Sequence, residues 1–303
     1  QVQMAALGAL EFRKHWRPGQ AEAVLQVALR ATEPEVRAAA IGALANIEDR
    51  TLIESLGEFL RDPAPQVRHG ATQALLWDSE RRWHWLRHAV RRALGDPLCQ
   101  QDGPLRHDGQ PFPPEAVEDL LAWAAEKGLT GYRAAVTLAR HYAQVLSESP
   151  DPETLEILRE QVMEPKTPPV LRVELARLLI AQRELDSRLL GKLIDPANPA
   201  PLRLMAIEAL LDAGDAPEAV VALRDLAKLP NREIALATAD VVHRRLHVDL
   251  GLPSDGLLPP LQSREATEIT RRLRRWATLG EAEDESIPPF ARVDERVWHA
   301  LSE

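Results

Sequence analysis

Apolar and small residues recur along most of this chain at the spacing of one helix face. From Val36 to Leu44 they fall at i, i+3, i+4, i+7 and i+8, a stripe that one helix cannot bury alone. A neighbouring helix must cover it. Runs of the same kind return at fixed distances, so the internal repeat is the first feature to establish. Val36-Arg37-Ala38-Ala39-Ala40-Ile41-Gly42-Ala43-Leu44 follows Glu33-Pro34, and Val67-Arg68-His69-Gly70-Ala71-Thr72-Gln73-Ala74-Leu75 follows Asp62-Pro63, which sets the two arginines 31 positions apart. Leu171-Arg172-Val173-Glu174-Leu175-Ala176 and Leu202-Arg203-Leu204-Met205-Ala206-Ile207 repeat that interval, the second run after Asp195-Pro196. Weaker copies stand at Tyr132-Arg133-Ala134-Ala135-Val136 and at Glu233-Ile234-Ala235-Leu236-Ala237. A further copy, Val2 to Leu10, matches the Val36 run at an offset of 34, so the chain is expected to open inside a repeat with a segment ahead of Gln1.

The stops divide the pattern into helices. A first helix is expected at 1–13, then pairs at 19–31 and 35–46, 50–61 and 65–77, 151–163 and 168–182, 185–194 and 200–213, and 216–228 and 231–247, with readable breaks at Asp151-Pro152, Ala216-Pro217 and Pro230-Asn231. Pro34, Pro63 and Pro201 suit a first helical turn, where the missing N–H is harmless. Small residues such as Ala38, Ala39, Gly42, Ala71 and Ala206 let helix backbones come close. An irregular block interrupts the pairs: helices at 80–94 and 114–127 flank Gly95 to Pro113, a connection rich in Pro, Gly, Asp and Gln whose length marks it as functional or disordered. Beyond Leu246 the pattern changes to a proline-rich connector, 251–262, then a helix capped by Ser263 and running to about Leu279, then the acidic run Glu281 to Glu285. Val293, Val297, Trp298 and Leu301 share one face of a terminal helix too short to stand alone.

An acidic residue and proline before the second helix of a pair, then an aliphatic residue, an arginine and small residues at helical spacing, is a pattern that resembles HEAT repeats. The resemblance covers roughly residues 1–78 and 129–247. It implies an all-α, right-handed α-solenoid of about six to seven two-helix units, with an irregular central unit. On this reading the solenoid occupies 1–250, with an insert near 95–113, and 251–303 forms the connector, capping helix, acidic tail and short terminal helix. The resemblance also implies a structural duty for Arg37, Arg68, Arg133, Arg172 and Arg203, each bonding an acidic residue of an adjacent turn, with Glu33, Asp62, Glu164 and Asp195 placed for it. The same arginines could instead form a ladder that grips a ligand. The family mainly supplies binding surfaces, so it speaks to architecture more than to activity.

Composition narrows the function classes. The chain has 303 residues, 45% of them hydrophobic, enough for a substantial core, and only 4% aromatic. A formal charge of −9 argues against a polyphosphate partner, whose affinity depends on neutralising phosphates with cations. A single cysteine, Cys99, excludes an intrachain disulfide and any multi-cysteine zinc motif. No apolar run reaches membrane-spanning length. Lysine is confined to five positions and asparagine to three, a bias that either a GC-rich bacterial genome or a thermophile would produce.

The richest local chemistry is Glu80 to Arg92, ERRWHWLRHAVRR, where five arginines accompany Trp83, Trp85, His84 and His88 with almost no local acid. Arginine beside tryptophan suits acidic protein surface, phosphates or stacked rings. The same pattern also fits a helix whose tryptophans face the core while its arginines reach solvent or pair with acids elsewhere. A second cluster is Arg271, Arg272, Arg274, Arg275 and Trp276. His84 and His88 stand at i, i+4, a spacing that can place two imidazoles on one metal, and Cys99, Asp102, His107 and Asp108 are the nearest further ligands. Glu118 and Asp119 read as a solvated helix face. The His-Glu dyads of metal-dependent HEAT-like hydroxylases are absent, as are P-loop, nucleophile-elbow and dinucleotide signatures. The expectation is therefore a non-enzymatic interaction scaffold, part of a larger chain or complex, with no catalytic, cofactor or metal residues. Its partner would be another protein subunit or a copy of itself, and not nucleic acid. Trp83, Trp85, Arg87, Arg91 and Trp298 are the expected partner contacts. The competing classes are a metal- or cofactor-binding enzyme using His84, His88, Cys99 and His107, and a self-assembling structural subunit.

Overall fold

A computed structural model describes residues 7, 16–17, 19–45, 47–76, 79–97, 112–148, 151–214, 216–253 and 256–284. The described residues are all-α, with fourteen α-helices, one 3-10 helix and no strand among them. They belong to two compact units, Gln1–Leu178 and Leu179–Glu303.

In the first unit, α1 (Gln20–Arg30) packs on α2 (Pro34–Ala43), and α3 (Arg50–Leu56) tightens into the 3-10 helix Gly57–Arg61 before α4 (Pro65–Leu76). Then come α5 (Ser79–Gly95), α6 (Pro114–Ala124), α7 (Leu129–Glu148), α8 (Pro152–Met163) and α9 (Pro169–Ala181), whose last residues enter the second unit. The sequence suggests one helix over 50–61, and the structure divides it at Gly57. A Cβ there would lie 2.6 Å from the Ala89 Cβ of α5, so a bare backbone permits the approach of the two elements.

The second unit holds α10 (Ser187–Leu193), α11 (Ala200–Ala213), α12 (Ala216–Lys228), α13 (Arg232–Leu246) and α14 (Arg264–Asp284). Helix α14 packs on both α12 and α13, so residues 264–284 are built into this unit. It also continues to Asp284, past the expected end at Leu279, because Glu281, Ala282 and Glu283 are good helix formers. Local chemistry starts several helices. The side chains of Asp49, Asp151, Asp186 and Asn231 accept backbone N–H bonds from the first turns of α3, α8, α10 and α13, and Ser263 does the same for α14 at 3.0 Å.

One arrangement recurs. Arg37 Nη1 donates to the carbonyls of Ala31 and Thr32 just past the end of α1 (3.2 and 2.9 Å). Arg68 Nη1 does so to Asp62 and Pro63 after the 3-10 helix (2.8 and 2.9 Å). Arg172 Nε donates to Val162 in the last turn of α8 (2.7 Å), and Arg203 Nε to Ile194 at the end of α10 (3.0 Å). In each case an arginine of one helix satisfies carbonyls that the preceding helix leaves without an internal partner. Arg133 on α7 donates to Leu94 and Asp96 (3.1 and 2.5 Å), which end α5 and not α6. The interval from Arg68 to Arg133 is 65 positions, against 31 from Arg37 to Arg68. Arg133 therefore ties α7 directly to the end of α5, while α7 also packs on α6.

The acidic side of the ladder is less uniform. Arg37 holds Asp62 bidentately, Nε to Oδ2 at 3.0 Å and Nη2 to Oδ1 at 2.9 Å, and so ties one helix pair to the next. Asp195, expected opposite a ladder arginine, instead accepts the Ala197 N–H at 2.8 Å and closes its own turn. Glu164 accepts the N–H of Lys166 at 3.1 Å, while its charge also acts on the Arg172 guanidinium. Asp62 makes the same local bond, accepting the Ala64 N–H at 2.8 Å, and reaches Arg37 as well. No described helix is long and apolar enough to cross a membrane.

Candidate interaction surface on helix α5

Helix α5 has two unlike faces. Trp83, Leu86, Val90, Ala93 and Leu94 are buried, Trp83 to 1% exposure. The Trp83 ring lies 6.1 Å from Trp123 of α6 and 6.4 Å, edge-on, from Phe112. Its Nε1–H donates to Asp119 Oδ2 at 2.7 Å. Trp83 is thus a core residue and not the surface anchor that the arginine-rich context suggested, because a ring this enclosed has no area left to offer a partner. Arg82 is buried too, donating to the carbonyls of Ala45 and Ala74 at 2.7 and 3.3 Å. It belongs to the helix-end bonding described above, not to a basic patch.

The opposite face carries His84, Trp85, Arg87, His88, Arg91 and Arg92, with Trp85 half-buried and the others exposed. The sequence shows almost no acid beside these cations, yet the fold brings acids to them. Arg87 pairs with Asp119 at 2.8 Å, Arg91 with Glu126 at 2.9 Å, and Arg92 with Glu58 at 2.5 Å. Arg61 pairs with Asp96. Asp119 is only 16% exposed at its side chain and serves Trp83 and Arg87 at once, so it is a helix-to-helix clamp and not the solvated acid that its sequence neighbours implied. Reasoning from sequence missed Asp119, Glu126 and Glu58. The one available signal was register: Asp119 and Glu126 are seven apart, Arg87 and Arg91 four apart, intervals that keep each pair on one helical face.

Between the 3-10 helix, α5 and the start of α7 lies a groove of about 860 Å³. Trp85, His88, Arg91, Arg92, Asp96 and Thr130 contribute to its lining. The His84 and Trp85 rings lie 4.6 Å apart beside it. Among the described residues no group of three or more His, Cys, Asp or Glu is placed to hold a metal. Cys99, Asp102, His107, Asp108 and Trp298 lie outside the described residues.

Part of the second arginine cluster is paired within its own helix. Glu268 accepts from Arg271 at 2.7 Å and from Arg272 at 3.0 Å, which holds its carboxyl down at about 2. Trp276 receives the Arg224 guanidinium over its ring at 5.9 Å.

Below α5, His141 of α7 accepts the Phe112 N–H at Nδ1 (3.2 Å) with the two rings 5.4 Å apart. Burial pushes the His141 imidazole below its ordinary 6.5. The unfolded chain therefore binds a proton that the folded chain resists, and stability should fall as pH drops from 6.5 through the lowered folded value. Urea midpoints at pH 7.5 and 5.5 test this. The drop should be smaller in His141→Gln, and an equal drop would remove His141 as its cause.

The family model of HEAT repeats matches residues 1–76. No curated protein and no solved structure matches the chain. HEAT repeats build α-solenoids, act generally as protein-interaction scaffolds and are typically non-enzymatic. The two-helix units and end-capping arginines agree with that match, and residues 1–76 are similar to HEAT repeats.

Proposed function

We propose that the chain is a non-enzymatic scaffold that docks another protein subunit on the exposed face of α5. The observation that carries this reading is the division of α5: one side is locked to its neighbours through Trp83 and Arg82, and the other presents Trp85, Arg87, His88 and Arg91 on a rigid support. Arginine and tryptophan are the residue types that most often dominate binding energy at protein interfaces. The ion pairs of Arg87 and Arg91 support a protein partner over a polyphosphate, since each cation already has a carboxylate beside it. Trp298, expected to contribute as well, stays a proposal from sequence alone.

The test is co-purification from the native source. Trp85→Ala with Arg91→Ala should abolish recovery of the partner, identified by mass spectrometry, while helical content measured by circular dichroism stays unchanged. Full retention of the partner by the double variant would defeat the proposal.

A further inference from the structure

We infer that the groove beside α5 receives an uncharged, proline-rich extended segment of the partner protein, an inference that rests on the docking role proposed above. Charge cannot select the occupant. Arg61, Arg91 and Arg92 line the groove together with Glu54, Asp96 and Glu126, three cations against three carboxylates. A strongly acidic or strongly basic segment would meet as many like charges as opposite ones, and it would have to displace pairs already formed at 2.9 Å (Arg91 with Glu126) and 2.8 Å (Glu54 with Arg50). A neutral segment leaves them intact.

What the groove offers such a segment is rings and N–H donors. Trp85 and His88 belong to the lining, and the His84 ring lies against Trp85, so imidazole and indole rings follow one another along the helix. Arg91 spends Nε and Nη2 on the single oxygen Oε1 of Glu126, and Arg92 spends Nη2 on Glu58. Among the described residues, Nη1 of both arginines and Nε of Arg92 have no acceptor. A polyproline II strand is the complementary chemistry: its carbonyls are all outward and unbonded, its prolines bring no N–H that would need an acceptor, and its rings stack on aromatic side chains. It also arrives nearly ordered, which reduces the entropy lost on binding. At about 860 Å³ the open groove has room for a few residues of an extended segment.

Decaproline, hexaglutamate and hexalysine serve as probes in calorimetric titrations of the full chain. Decaproline should bind saturably with Kd below about 1 mM, and the two charged peptides should not. Trp85→Ala should raise that Kd by about tenfold or more, whereas Trp85→Phe, which keeps a ring, should recover most of the loss. Arg92→Gln, a change at an exposed position that is safe for folding, should weaken binding several-fold. The inference is overturned by no decaproline binding, by tighter binding of either charged peptide, or by an unchanged Kd in both Trp85→Ala and Arg92→Gln. Loss of decaproline binding with a partner still captured through Trp85 and Arg91 would overturn the segment chemistry and leave the docking role standing.

Discussion

Trp83→Ala should lower the unfolding free energy by about 3–5 kcal/mol, the usual cost of deleting a fully buried tryptophan. Three losses add at that site. The ring contacts with Trp123 and Phe112 disappear, a cavity opens between α5 and α6, and Asp119 loses the indole N–H that it accepts at 2.7 Å. Trp83→Phe separates these effects. It keeps most of the apolar volume and removes the N–H, leaving Asp119 its bond to Arg87, so the cost should shrink to about 1–2 kcal/mol. Urea unfolding of the two variants reads both numbers. A cost below about 1 kcal/mol for Trp83→Ala would mean that α6 is not seated on α5 through this ring, and the proposed rigid support for the docking face would go with it.

Arg37→Ala should cost about 3 kcal/mol, because it strands the partner of a pair that is largely shielded from water. Asp62, only 9% exposed at its side chain, would lose the bidentate guanidinium and be left with the Ala64 N–H. The carbonyls of Ala31 and Thr32 would lose their donor at the same time. Arg68 has the same helix-end role, donating among the described residues to the carbonyls of Asp62 and Pro63 and to no side-chain carboxylate, so Arg68→Ala should cost less, about 1 kcal/mol. A double-mutant cycle of Arg37→Ala with Asp62→Ala should return a coupling of about 1–3 kcal/mol. Additive single effects would show that Arg37 acts through the carbonyls alone.

The two arginines also show where sequence reasoning was sufficient and where it was not. The 31-residue interval, the Asp-Pro or Glu-Pro breaks and the small residues after each arginine identify the helix pairs, since all are local. Helix starts at Asp49, Asp151 and Asn231 are legible for the same reason: a cap bonds N–H groups two or three residues away. The arginine partners are not local. Arg37 and Asp62 are 25 positions apart, Arg87 and Asp119 32, Arg91 and Glu126 35. No periodicity within one helix carries information about them. This is why Arg87, Arg91 and Arg92, in a segment that reads as an uncompensated basic patch, in fact have carboxylates beside them, and why Asp195, a good candidate by position, turns to its own loop.

By itself the sequence determined the period of the stripes, hence helices, their pairing and their class, because hydrophobic spacing and capping act over one or two turns. At 3.6 residues per turn Trp83 and Trp85 stand about 200° apart on α5, so the expectation that treated them alike could not hold for both. Which of those sides is the core was decided only when α6 was laid against it, with Phe112, Trp123 and Asp119 arriving from 29 to 40 positions away. The contact of α7 with the end of α5 was decided in the same way, by Arg133 reaching a carbonyl 37 positions earlier. Burial and charge pairing are properties of surfaces that meet, and the meeting of surfaces distant in the chain is tertiary.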